Sequence, residues 1–282
     1  LFLAFLAAIS GSADDIANKH LLGKLKLPLK EYLPFVFLVI GIMCFFTFRI
    51  GYHFDQRALS FWNLILFATV IVTSIGWNTL LAKSLQTEPL HEYETIILMT
   101  PIATVLFAAI FLPAERNIHI LVAGIVASLA LFISHFRKHH FELTKTARQT
   151  LLAVFLIAIE AVVLRNLLNF YSPALIYAIR VWILTLVFVA IYKPDWKILI
   201  IKPVFQGVMI ASLFGIILMI LKYYCFAKFG VVATTMVMLL APVLTFMASY
   251  FYFSEHRNFR RDMTCATVVV GCIIYALLAG KA

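Results

Sequence analysis

Ten apolar runs, each long enough to cross a bilayer, constrain this chain more than any other feature of it. A membrane-spanning helix needs about 20 mostly apolar residues, because each adds 1.5 Å towards a hydrocarbon core of about 30 Å. Such runs fall at roughly 1–22, 32–50, 60–82, 92–112, 118–136, 150–169, 173–192, 203–226, 231–253 and 262–280. Hydrophobic residues make up 63% of the chain and charged residues 13%, and the mean hydropathy is +1.00. Soluble domains hold about 45–50% apolar and 25% charged residues, so this chain would expose apolar surface everywhere in water. The expected fold class is an all-α membrane protein of ten transmembrane helices, with the lipid bilayer as its first partner. A signal peptide is the competing reading of Leu1–Ala13, where Ser10-Gly-Ser-Ala13 is rich in small residues. No basic segment precedes it and the apolar stretch resumes towards Leu22, so a first span is expected there.

The formal charge of +10 could suggest nucleic acid, but the charges sit in loops between apolar runs. A topological role is therefore expected, and no nucleic-acid partner. Most Lys and Arg fall in the odd-numbered loops: Lys24, Lys26, Lys30, Lys83, Arg137, Lys138, Lys145, Arg148, Lys193, Lys197, Lys202, Arg257, Arg260 and Arg261. The even loops hold little beyond Arg57, Arg116 and Lys228. The positive-inside rule then places the odd loops in the cytoplasm and both termini outside, in a plasma (inner) membrane. Cys44, Cys225, Cys265 and Cys272 lie inside apolar runs without metal-type spacing, so neither disulfides nor zinc are implied. Walker loops, dinucleotide fingerprints, His-Glu-x-x-His and nucleophile elbows are absent, so no cofactor, metal or catalytic residue is expected.

The runs also repeat. Thr95-Ile-Ile-Leu-Met-Thr-Pro101-Ile-Ala-Thr104 is followed by Glu115-Arg116, and Thr234-Thr-Met-Val-Met-Leu-Leu-Ala-Pro242-Val-Leu-Thr245 by Glu255-His256. Pro101 and Pro242 stand 141 residues apart, and Glu115 and Glu255 140. Ala82-Lys83 and Ala227-Lys228 precede the two Pro-bearing spans. Asp14 stands five residues before Lys19, and Glu160 five before Arg165. The expected organisation is a five-helix repeat over 1–136, a basic linker over 137–149 and a second five-helix repeat over 150–282. Five spans per unit make the repeats enter the membrane in opposite directions, a plan typical of secondary transporters.

The segment Ile75-Gly-Trp-Asn-Thr-Leu-Leu-Ala-Lys83, followed by Leu98-Met-Thr-Pro101, Glu115-Arg116 and Gly124, resembles an EamA-type unit of the drug/metabolite transporter superfamily. Tyr223-Tyr-Cys-Phe-Ala-Lys228, Pro242, Glu255 and Gly271 resemble its second copy, and Ile9-Ser-Gly-Ser12 resembles the usual start of the first span, with Ser10 where Trp is common. The resemblance covers essentially the whole chain. It implies ten helices in two inverted repeats around a central cavity lined by spans 1, 3, 4, 6, 8 and 9. It also implies cytoplasmic termini, against the charge count. Glu88, His91, Glu92 and Glu94 make the start of the fourth span more acidic than the family pattern.

Ionisable groups at membrane depth cost about 2.5–3.5 kcal/mol on insertion scales and so default to functional candidates. Asp14 and Asp15 lie in the first span and Glu160 in the sixth, where carboxylates suit a cationic substrate or a coupling proton. Gly11, Asp15 and Asn18 share a helical stripe, which favours Asp15, whereas the repeat favours Asp14. The plainer reading of Asp14–Lys19 and Glu160–Arg165 is a pair of neutralising contacts. Arg180, after Tyr177, suits a substrate carboxylate or phosphate, or else pairs with Glu160. Lys222 ends the stripe Ser212–Gly215–Met219–Lys222 beside Tyr223, facing a cavity or snorkelling to the interface. Trp77 and Asn78 follow Thr73 and Ser74 at four-residue steps and are cavity candidates, with an interfacial anchor as the alternative for Trp77. Pro101 and Pro242 each remove a helical hydrogen bond and are candidate hinges, with Thr100, Thr104 and Thr245 nearby. His91 is a candidate pH-responsive group or a plain loop histidine.

The expected function is secondary transport of a small polar metabolite by alternating access, proton-coupled or as exchange. An amino acid, amine or related zwitterion is the leading substrate, and a nucleotide- or phosphate-type metabolite is the alternative. A membrane-embedded enzyme acting on a lipid-linked substrate is the rival, with Asp14, Asp15, Glu160 or His91 as acid and base. Assembly as a monomer or a homodimer fits either reading.

Overall fold

The computed structural model describes residues 2–87, 96–97, 99–135, 145–241, 243–244 and 259–279. Glu88, His91, Glu92, Glu94, Arg137, Lys138, Pro242, Thr245 and Glu255 lie outside the described residues. The chain is all-α, and the described residues form eleven α-helices: α1 Phe2–Lys19, α2 Leu29–Cys44, α3 Phe61–Thr87, α4 Thr100–Phe111, α5 Ile118–His135, α6 Lys145–Leu167, α7 Pro173–Tyr192, α8 Trp196–Leu199, α9 Lys202–Phe229, α10 Val231–Met238 and α11 Phe259–Ala279. Among the described residues the β structure is one isolated bridge, Phe54 to Tyr171. Among the described residues, five helical segments are long and apolar enough to cross a membrane: Leu29–Thr47, Phe61–Gln86, Thr146–Leu167, Pro173–Tyr192 and Lys202–Phe229. Shorter apolar helices run over Thr100–Phe111, Ile118–Ala130 and Ala266–Ala276.

The distribution of side chains is the reverse of a water-soluble protein. Phe46, Trp62, Val72, Leu186 and Ile200 point outward and stay largely exposed, while Glu160, Arg180, Ser74, Ser84, Thr150 and Ser212 are buried. Only a lipid exterior makes that arrangement favourable, since polar groups there find partners inside the bundle.

Local chemistry sets the helix ends. The first helix stops earlier than its apolar run: after Lys19 the chain passes into a π-helical turn, His20–Lys24. The second begins at Leu29 and ends at Cys44, six residues short of the run, where the hydroxyls of Thr47 and Tyr52 both bond the Cys44 carbonyl at 2.7 and 2.8 Å. The third instead extends five residues past its run, because Ser84 meets Thr150 at 2.8 Å and Gln86 Nε2 donates to the Leu27 carbonyl at 2.9 Å. α7 ends at Lys193, whose positive φ of 45° and N–H bond to Val189 close the last turn before Pro194. Pro101 sits in the first turn of α4, where its missing N–H breaks no intrahelical bond. That differs from the lost helical hydrogen bond expected of it.

Long helices pair in antiparallel fashion. α1 lies along α9, with Gly11 near Leu218, Asp14 near Gly215 and Leu21 near Gly207. α3 lies along α6, with Ser74 on Glu160, Gly76 near Leu156 and Ser84 on Thr150. α2 packs on α7, with the Phe37 and Phe188 rings tilted against each other at 5.2 Å and Gly41 against Trp182. α5 packs on α11 and α4 on α6 and α10. Small residues let the backbones approach, as expected where burial from water supplies no attraction.

One end of the bundle is tied by backbone and carboxylate contacts. Asp55 N–H donates to the Phe170 carbonyl at 2.8 Å and Ser172 N–H to the His53 carbonyl at 3.0 Å. Asp55 also caps the turn at Gln56–Leu59, and its hydrogen bonds from Arg57 hold the carboxyl below its usual range. Nearby, the Glu115 carboxylate accepts from the N–H groups of Val231 and Val232 at 2.7 and 3.0 Å and from Arg165 Nε at 3.1 Å. It thereby satisfies free donors at the positive end of α10. Gly230, just before α10, has φ +85° and ψ 170°, and a Cβ there would stand 2.7 Å from the Glu115 carboxylate. That backbone region is essentially restricted to glycine. Gly230→Ala should therefore destabilise the protein by about 1–3 kcal/mol. Thermal unfolding in detergent checks this, and an unchanged midpoint would show that Glu115 does not hold the α10 terminus this way.

Candidate functional site

Helices α1, α2, α3, α6, α7 and α9, with Met238 of α10, enclose a cavity of about 250 Å³. Its lining includes Asp14, Asp15, Asn18, Trp77, Asn78, Glu160, Tyr177, Arg180, Lys222 and Tyr223, so every candidate binding or coupling residue read from the sequence meets in one place. Pro101 is not among the lining residues.

Glu160 is the most heavily coordinated of them. Its Oε1 pairs with Arg180 Nη2 at 3.0 Å. Its Oε2 accepts from the Trp77 indole N–H at 2.5 Å and from the Ser74 hydroxyl at 2.7 Å. Arg180, 1% exposed, spends its remaining donors on Ser74 Oγ at 2.8 Å and on the Tyr223 hydroxyl. Its guanidinium also lies 5.6 Å from the Trp77 ring centroid, within cation–π range. Tyr177 meets Tyr223 edge-on at 5.6 Å. The single Ser74 proton serves either Glu160 or the Val70 carbonyl, 2.5 Å away, while the lone pairs of Ser74 receive Arg180. Four helices, α3, α6, α7 and α9, are thus joined through one carboxylate and one guanidinium.

The pairing anticipated between Glu160 and Arg180 is present, whereas Arg165 turns away to Glu115. The reason is geometric: residues five apart on a helix lie off the favoured three- and four-residue spacing, so both find partners on other helices. Trp77 is a cavity wall with its N–H on Glu160, not an interfacial anchor. Asn78 donates to the Ser74 carbonyl at 2.8 Å, one turn back.

Asp14 and Asp15 both line the cavity, Asp14 half-buried and Asp15 open to it. Asn18, one turn after Asp14, accepts from the Tyr32 hydroxyl at 2.8 Å. Lys222 is half-buried, with Nζ 5.5 Å from the Phe226 ring centroid. Two contributors were not singled out as site residues from the sequence, Tyr32 and Ser74. The four-residue step from Ser74 to Asn78 was visible, but nothing in it pointed to a carboxylate 86 positions away. Among the described residues no cluster of His, Cys, Asp or Glu could hold a metal ion.

No family model and no curated protein matches the chain. Among solved structures, 28 chains match. One, described only as "Crystal structure of protein", superposes with a TM-score of 0.74 over 99% of this chain and 97% of its own, at 17% identity. This likeness concerns the fold alone.

Breaking one half of a buried ion pair leaves an uncompensated charge, at a cost of about 3–5 kcal/mol. Glu160→Gln and Arg180→Gln should each lower stability strongly. The double variant should lose clearly less than the sum, with a coupling of at least about 1 kcal/mol. Denaturation of the four-member mutant cycle in detergent measures this; additive losses would show that the two side chains do not act as a pair.

Proposed function

We propose that this protein is a secondary transporter of EamA-like design, moving a small polar metabolite by alternating access between two inverted five-helix repeats. The observation that carries this reading is the convergence of ten polar and aromatic candidates from five helices on one cavity inside an apolar bundle. At about 250 Å³ the cavity lies below the range of about 300–1,000 Å³ of drug-sized sites and suits a small metabolite. An amino acid, amine or related zwitterion fits its mixture of carboxylates and ammonium.

The repeat is supported by the packing. Let α1, α2, α3, α4 and α5 correspond to α6, α7, α9, α10 and α11. Exchanging the two sets turns the α1–α9 pair into α6–α3, the α4–α6 pair into α10–α1 and the α2–α9 pair into α7–α3, all of which are in contact. The pairs α2–α7, α4–α10 and α5–α11 map onto themselves and are also in contact. A rocking motion about this pseudo-twofold arrangement would expose the cavity to each side in turn. Pro101, which does not line the cavity, would then act at the margin of a moving unit rather than within the site.

Reconstituted proteoliposomes given a panel of labelled amino acids, amines and phosphorylated metabolites, with and without a pH gradient, test the reading. Uptake of at least one compound is expected, and D14N/D15N should lower it by at least about tenfold, the effect of some 1.4 kcal/mol of lost binding. No flux of any compound together with no ligand-induced stabilisation would overturn it.

A further inference from the structure

The α9 wall of the cavity is a single stripe. Gly215, Leu218, Met219 and Lys222 recur at three- and four-residue steps, so they face the cavity one above another. At one end, Asp14 Oδ1 comes within 3.4 Å of where a Gly215 Cβ would stand, and the absence of a side chain there leaves room for the carboxylate. At the other end is Lys222, seven residues and so about 10 Å further along the helix axis. Its ammonium leans towards Phe226, one turn beyond. Between the ends the stripe presents only the apolar Leu218 and Met219.

The charges of the cavity divide into two groups. Glu160 and Arg180 satisfy each other together with Ser74, Trp77 and Tyr223. Among the described residues no ion pair engages Asp14, Asp15 or Lys222. Uncompensated charges at membrane depth are costly, so a ligand bringing both opposite charges gains at both ends.

We propose that the cavity is a two-ended site for a substrate whose ammonium and carboxylate are separated by a short methylene chain. Asp14 and Asp15 take the ammonium, Lys222 takes the carboxylate, and Leu218 and Met219 line the methylenes. This rests on the reading of the cavity as the substrate site. Lys222 is then the residue that sets specificity for a carboxylate, and Glu160 and Arg180 are positioning residues that hold Trp77 and Tyr223 in the wall. An α-amino acid, with both charges on one carbon, engages one end at a time.

Isothermal titration of the detergent-purified full chain with four compounds tests the proposal: 5-aminopentanoate, its isomer 2-aminopentanoate, pentylamine and pentanoate. The expected result is binding of 5-aminopentanoate at least tenfold tighter than each of the others. Lys222→Gln should bring 5-aminopentanoate down to the affinity of pentylamine, and D14N/D15N down to that of pentanoate. Each variant is first shown to elute as the wild type does. Equal or tighter binding of 2-aminopentanoate, or a K222Q variant that keeps the preference, overturns the proposal. Equal binding of pentylamine and 5-aminopentanoate also overturns it while leaving a cation-transport cavity in place. Binding of none of the four overturns it too, and flux of some other metabolite in proteoliposomes would then separate that failure from failure of the transport reading.

Discussion

A carboxylate cannot be carried into an apolar bundle without company, and the arrangement around Glu160 follows from that constraint. Ionised and buried, it needs an opposite charge and donors for both oxygens. Arg180 provides the charge, and Ser74 and Trp77 provide the donors. Arg180 in turn needs further acceptors, which Ser74 and Tyr223 supply. The helices bearing these side chains are held in register by the need for every one of these bonds to be made. A wall of the cavity is thereby fixed, and the other charged groups are left free to face its interior.

The remaining packing serves the same end. Gly215 gives Asp14 space beside α9, and Gly207 and Gly76 let α1–α9 and α3–α6 lie close enough for their polar side chains to meet. At one end of the bundle, Glu115 joins the end of α4 to the start of α10 and to Arg165 on α6. In a bundle whose exterior is lipid, such directional contacts and close van der Waals fit supply the specificity that burial from water gives a soluble core.

Much of this was legible in the chain because ionisable residues are rare in apolar runs. Asp14, Asp15, Glu160, Arg180 and Lys222 stand out for that reason, and helical spacing brings in Asn18, Trp77 and Asn78. What spacing along one helix cannot give is the partner on another. Arg165 sits five residues from Glu160 yet pairs with Glu115, fifty positions away, and Tyr32 reaches Asn18 from a neighbouring helix. Helix ends were misplaced for a related reason: α3 outlasts its apolar run because Ser84 and Gln86 find tertiary partners, and α2 falls short because Thr47 and Tyr52 hold the Cys44 carbonyl. Pro101 looked set to remove a helical hydrogen bond because the apolar run continues through it, whereas α4 starts there.

Transport through this bundle requires a water-accessible cavity among these helices inside an otherwise lipid-exposed exterior. Single cysteines introduced at Asn18 and Asn78 in a cysteine-free background, probed in native membranes with a charged, lipid-insoluble thiol reagent, test it most directly. A third, at Val72 on the exposed side of α3, reports the lipid face. The account predicts labelling of Asn18→Cys and Asn78→Cys and none of Val72→Cys. Labelling of Val72→Cys with both cavity positions unreactive would contradict it.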